Sequence, residues 1–138
     1  MIRTAKAHWE GSLKEGHGTL STQSGVLENT NYSFKTRFEE GNKGTNPEEL
    51  LAAAHAGCFT MAVSSMLNAK GITANKLDTQ ATLTMEGLSI TGIHLNISGA
   101  VPGVNAEEFE AIAKDAEKNC LISKVLNIAI TSEVHFEI

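Results

Sequence analysis

The side chains with chemistry to offer are few, and the two cysteines of this 138-residue chain, Cys58 and Cys120, stand first among them. A thiolate is a nucleophile and a metal ligand, and two thiols can exchange electrons through a disulfide. Cysteines are also among the most deeply buried residues, and two of them in an intracellular chain are more often inert than reactive. His55 lies three residues before Cys58, on the same face of any helix that carries both. Such a pair can activate a thiol or begin a metal site. The other histidines are scattered singly, so no third metal ligand is evident. No Asp or Asn is evidently placed to orient His55, which argues against Cys–His acyl transfer. His55 is therefore read as a buried packing or supporting residue rather than a general base.

The element that must position Cys58 is clear from its punctuation. Asn46 is a good N-cap, Pro47 fits the first helical position, and Glu49 follows the cap by three residues. The helix then runs to about Ala69, and Gly71 ends it. It is rich in small residues (Ala52, Ala53, Ala54, Ala56, Gly57), with Leu51, Phe59, Met61 and Met66 around Cys58. Phe59, Met61 and Met66 are expected in the core rather than as substrate contacts, with one or two of them lining an apolar pocket as the alternative. The helix is apolar nearly all round and must be covered on every side, more than one short chain can supply. A homodimer that buries it is the expected solution. Leu50–Ala69 is long enough to span a bilayer, but His55, Ser64, Ser65 and Asn68 make a buried central helix the better reading.

The segment before this helix reads as extended structure broken by Gly11, Gly16, Gly18 and Gly25. Alternation of Tyr32, Phe34, Thr36 and Phe38 with Ser33, Lys35 and Arg37 predicts a strand with one aromatic face and Arg37 on the other. After the helix, Leu77, Ala81, Leu83 and Met85 mark one strand, and Ile93, Leu95, Ile97 and Val101 a second, with a turn at Gly87. A second helix starts at Asn105, with Phe109, Ile112, Ala113 and Ala116 on its apolar face. Cys120 lies where it ends, the pattern adds one further turn of helix over Leu121–Leu126, and Ile128, Ile130, Val134, Phe136 and Ile138 form a last strand. Hairpins without regular βαβ alternation argue for an α+β fold in a single domain, residues 1–138.

Composition narrows the function classes. Hydrophobic residues make up 41% and charged residues 20%, an ordinary globular balance. A net charge of -5 without any Lys/Arg cluster is a poor match for nucleic acid or an anionic membrane. The N-terminus lacks the pattern of a secretory signal, so the expected location is cytoplasmic, where a permanent disulfide is not expected.

Four stretches carry a family resemblance: AHWEG (7–11), GTLSTQSGVL (18–27), TRFEEGNKGTNPEELLAAAHAGCF (36–59) and VPG (101–103). On these the chain resembles the OsmC/Ohr family, and the glycine-rich N-terminal segment points to its osmotically inducible (OsmC) branch. The resemblance implies antiparallel sheets wrapped around the central small-residue-rich helix in an intertwined homodimer, with active sites at the interface. It implies thiol-dependent reduction of organic hydroperoxides, with small or lipoyl-type dithiols as reductants and no metal or prosthetic group. It implies Cys58 as the peroxidatic thiol, Cys120 as the resolving thiol, and Arg37 and Glu48 as assisting residues. One departure is visible: the family usually has CP-x-S at the resolving cysteine, whereas this chain has CLIS, Cys120–Ser123.

The implied roles are chemically coherent. Apolar neighbours disfavour a thiolate, and Cys58 is more than two turns from the positive end of its helix, so a cation is needed. Arg37 is the best candidate, since guanidinium stays charged. Glu48 precedes Cys58 by ten residues, about 15 Å along a helix. It therefore serves the partner chain's site, holding Arg37, or merely decorates the helix N-terminus. The competing functional expectation is a non-enzymatic dimeric stress protein that binds small hydrophobic molecules; a thiol redox sensor is weaker, because no effector segment is evident.

Overall fold

The computed structural model describes residues 1–137, so the expected last-strand residue Ile138 lies outside the described residues. The chain gathers into two compact units, Met1–Leu50 and Leu51–Ile138. In the first, β1 (Ala5–Glu10), β2 (His17–Thr22) and β3 (Thr30–Tyr32) form an antiparallel sheet in that order. A short helix, α1 (Phe34–Phe38), follows.

The strand expected through Phe34–Phe38 is thus a correction: it stops at Tyr32. Ser33 accepts the Thr36 N–H (3.2 Å) and its own N–H donates to Thr36 Oγ1 (2.7 Å), a reciprocal capping box. These local bonds give the backbone a helical alternative that period-two alternation cannot report. The turn sets the Phe34 and Phe38 rings 4.9 Å apart, four residues on, as helical geometry requires.

The central helix, α2 (Pro47–Ala69), starts where its caps predict. Asn46 Oδ1 accepts the Glu49 N–H at 2.7 Å. Beyond its last turn, Gly71 takes φ +76°, a conformation that favours glycine. The helix is long and apolar enough to cross a membrane. Its residues in the second unit bury one stripe, His55, Phe59, Val63 and Leu67, each fully inaccessible.

That stripe packs on a three-stranded sheet of β4 (Lys76–Glu86), β5 (Ser89–Ala100) and β6 (Ala129–Glu137), in the order β4-β5-β6. Ile93, Leu95 and Ile97 of β5 join Phe59, Val63 and Leu67 in one cluster. Fully burying an aliphatic or Phe side chain of this kind stabilises by roughly 1.5–3 kcal/mol. The Thr60 hydroxyl bonds back to the Ala56 carbonyl and lies 2.7 Å from the Thr79 hydroxyl of β4.

Strands β4 and β5 form an antiparallel hairpin, but β6 runs parallel to β5. A parallel neighbour needs a crossover, and α3 (Ala106–Asn119) with α4 (Leu121–Val125) supplies it. The helix α3 presents Phe109, Ile112, Ala113 and Ala116 to the core, and the Phe109 and Phe136 rings lie 5.7 Å apart. The α+β class follows the sequence pattern; the parallel pair departs from all-antiparallel sheets, because nothing in a strand's own alternation encodes its neighbour's direction.

Met66 lies against the core and Phe59 within it, whereas Met61 is 76% exposed in the single chain. It lies on the opposite face of α2 from the buried stripe, with exposed Ala53, Ala54, Gly57 and Ser65.

Phe109 packs so closely on β5 that a Cβ at Gly99 would meet its Cζ at 2.4 Å. Gly99→Ala is therefore expected to destabilise the fold by about 1–3 kcal/mol in urea unfolding. A loss within error of zero would show that the ring has room to move.

Candidate functional site

In the first unit, local hydrogen bonds set Arg37 against Glu48. The capping box places Arg37 in the last turn of α1. Asn46, besides capping α2, donates from Nδ2 to the Thr36 carbonyl at 3.0 Å, tying the start of α2 to α1. Thr45 donates from Oγ1 to Glu49 Oε2 at 2.9 Å. Glu48, in the first turn of α2, is thereby buried and meets Arg37: Nε donates to Oε1 at 2.7 Å, and Nη2 lies 2.7 Å from the same oxygen. Charge-assisted bonds of this kind fix a guanidinium's plane. Glu48 Oε2 is buried without a hydrogen-bond partner among the described residues.

Arg37 is about half exposed, and its guanidinium lies 5.2 Å from the Phe38 ring centroid. It borders a cavity of about 290 Å³ whose other walls include Trp9, Leu13, Tyr32, Phe34 and Phe38. The Trp9 and Tyr32 rings stand edge to face at 5.5 Å. This is an apolar, aromatic recess with one fixed cation at its edge.

In the second unit, Cys58 is half-buried on α2 and Cys120 is buried; both are free thiols. Cys120 is a member of the core cluster, and Cys58 packs against it. Cys120 closes α3 as its C-cap and opens α4 as its N-cap. Its Sγ accepts the Ser123 N–H at 3.4 Å and lies 3.0 Å from Ser123 Oγ. Ser123 Oγ in turn lies 2.8 Å from His55 Nε2, and all three residues are buried. His55 Nδ1 has no hydrogen-bond partner among the described residues. Burial holds the His55 pKa below its ordinary value of 6.5.

The structure therefore brings Arg37 to Glu48, and Cys120 to His55 through a serine that the sequence reading did not single out. The x-x-S spacing after Cys120 was the available signal for the N–H to sulfur bond. The bond to His55, 68 residues away in sequence, has no local signal. The CLIS departure is accommodated. Cys120 has φ -64° and ψ 150°, the extended conformation that a residue before proline adopts, and Leu121 is an exposed first residue of α4. Among the described residues, no group of three His, Cys, Asp or Glu side chains is arranged to hold a metal ion.

Two outcomes follow for stability. Leu121→Pro is expected to stabilise by about 0.4–1 kcal/mol, because the native backbone already accepts proline and the unfolded chain loses freedom; a destabilised variant would show that the turn is not ready for it. For His55, burial holds the folded pKa below the ordinary 6.5, so as pH falls the unfolded chain takes up the proton before the folded one does. Stability therefore drops on acidification through that window and gains nothing from this group above it. Urea unfolding across pH should show that slope in the wild type and a smaller one in His55→Gln; equal slopes would mean His55 protonates freely in the fold.

Comparison with known proteins gives the family. A family model described as OsmC-like protein matches residues 40–135. The chain is 49% identical over 133 residues to Peroxiredoxin OsmC of Escherichia coli (strain K12), covering 94% of this chain and 92% of the relative. It is 33% identical over 108 residues to the organic hydroperoxide resistance protein OhrA of Bacillus subtilis (strain 168), covering 71% and 72%. Among solved structures, an OsmC-like protein of unknown function from Vibrio cholerae superposes with a TM-score of 0.74 at 16% identity, over 97% of this chain and 99% of that one, a likeness of fold. The chain belongs to the OsmC family and is an oxidoreductase of the peroxidase type.

Proposed function

We propose that the protein reduces organic hydroperoxides to alcohols with a dithiol as final electron donor. The observation that carries this reading is the Arg37 guanidinium, fixed by buried Glu48 at the edge of an aromatic recess. An apolar recess favours an alkyl or aryl hydroperoxide over hydrogen peroxide. A rigidly held cation favours a thiolate and the negative charge that develops on the departing alkoxide. The name of the Bacillus relative, an organic hydroperoxide resistance protein, points to the same substrate class.

The Cys58 thiolate attacks the distal peroxide oxygen, the O–O bond breaks, and the alkoxide takes a proton to leave as alcohol. Cys58 is left as a sulfenic acid. The Cys120 thiol attacks its sulfur and expels water, giving a Cys58–Cys120 disulfide. A small or lipoyl-type dithiol then reduces the disulfide by thiol exchange. The reducing cytosol is the compartment where both cysteines rest as thiols.

The working unit in this reading is a homodimer with active sites at the interface. The exposed face of α2, with Ala53, Ala54, Gly57 and Met61, is apolar and small enough for close approach of a second copy. Ten residues of helix, about 15 Å, separate Glu48 from Cys58 in one chain. The Arg37–Glu48 pair of each chain accordingly serves Cys58 of the partner.

The test is consumption of cumene hydroperoxide with dihydrolipoamide as reductant. Wild type should turn over, Cys58→Ser should not, and Arg37→Ala should lose about a hundredfold. Mixing unfolded Cys58→Ser and Arg37→Ala chains and refolding them together should restore turnover, since each heterodimer holds one intact site. Recovery of none would place Arg37 and Cys58 of the same chain in one site. No wild-type turnover, with Cys58 resistant to alkylation, would favour a hydrophobic-molecule binding module.

A further inference from the structure

We propose that Ser123 and His55 form a proton relay for Cys120, with Ser123 the group that takes the proton from the thiol and His55 the group that receives it from Ser123. The inference rests on the peroxidase reading for the step it serves, and on the geometry of the second unit for its existence.

Three contacts define the chain of groups. Cys120 Sγ to Ser123 Oγ is 3.0 Å, Ser123 Oγ to His55 Nε2 is 2.8 Å, and the Ser123 N–H reaches Sγ at 3.4 Å. A hydroxyl both donates and accepts, so it can pass a proton on while receiving one. The backbone N–H of Ser123 is already aimed at the sulfur. His55 is wholly buried, and its Nδ1 has no hydrogen-bond partner among the described residues. A buried polar atom without a partner is costly, so a histidine kept here for packing alone would be a poor choice. Burial favours the neutral imidazole, the form with an acceptor nitrogen. Lys118 and Lys124, the nearest charged residues in sequence on the two flanking helices, are exposed, and Glu117 lies 3.7 Å from Lys114. His55 is thus the titratable side chain hydrogen-bonded, through Ser123, to this thiol.

The step balances as follows. With the proton on His55 Nδ1, Ser123 O–H donates to Nε2 and its oxygen accepts from the Cys120 S–H. As Cys120 sulfur bonds to the sulfenic sulfur of Cys58, the S–H proton passes to Ser123 Oγ and the hydroxyl proton to Nε2. The S–O bond breaks, and the expelled hydroxide recovers that proton through solvent and leaves as water. In the reductive half, Cys120 departs from the disulfide as a thiolate and is reprotonated along the same path. The peroxide-attacking step at Cys58 does not use the relay.

Two measurements test this. In the first, reduced wild type, Ser123→Ala, Ser123→Thr and His55→Gln each receive one equivalent of cumene hydroperoxide, and quenched samples are read by mass spectrometry for Cys58 sulfenic acid and for the disulfide. Sulfenic acid should form at the wild-type rate in all four. Its conversion to disulfide should slow by about a hundredfold in Ser123→Ala and His55→Gln and be largely restored in Ser123→Thr, which keeps the hydroxyl. Wild-type conversion in Ser123→Ala, or Ser123→Thr as slow as Ser123→Ala, would overturn the relay. The second needs no peroxide: nitrogen-15 NMR of the reduced wild type should show Nδ1 of His55 protonated and Nε2 as acceptor. Nε2 carrying the proton at neutral pH would overturn the relay directly. Absence of sulfenic acid in every protein would instead overturn the peroxidase reading, with the NMR result still deciding the relay.

Discussion

A helix that is apolar on every side can be covered on only one side by a single three-stranded sheet, and that constraint shapes the second unit. The i, i+4 stripe of His55, Phe59, Val63 and Leu67 goes to the sheet, and the core cluster grows from it. What remains outward on α2 is small or flexible: alanines, a glycine with open space around it, and Met61. In the proposed dimer these residues let a second copy approach closely. The reactive thiol proposed here sits between the two faces, half-buried on the same helix.

Burial constrains the polar groups that enter the interior. Glu48 enters the protein interior because Arg37 meets it, and Arg37 is where it is because a five-residue helix is capped reciprocally by Ser33 and Thr36. Asn46 connects the two by capping one helix and bonding to the other. In the second unit the same logic joins His55, Ser123 and Cys120. A histidine on the buried stripe must find a partner, and the turn between α3 and α4 delivers a hydroxyl to it. The proline that the family usually carries at that turn is dispensable here, since the sulfur's own bond to the Ser123 N–H helps hold the turn.

Much was legible in the chain itself, and for local reasons. The caps at Asn46 and Asn105, the end of α2 near Gly71, and the alternation of β4, β5 and β6 are set by residues within a few positions of one another. The family was legible too, from the run that ends at Phe59. The strand expected through Arg37 failed at the same local level, because a four-residue capping box outweighed an aromatic alternation.

Apart from the turn of α1, the sequence alone determined which segments are helix or strand, which faces are apolar, and which side chains have the chemistry for thiol redox work; these depend on neighbours along the chain. Tertiary structure alone decided that β6 lies parallel to β5, that Arg37 pairs with Glu48 of its own chain, and that His55 meets Ser123. Each of those is a choice among partners distant in sequence, made by packing and by the cost of leaving a buried polar group alone, and no spacing or periodicity records it.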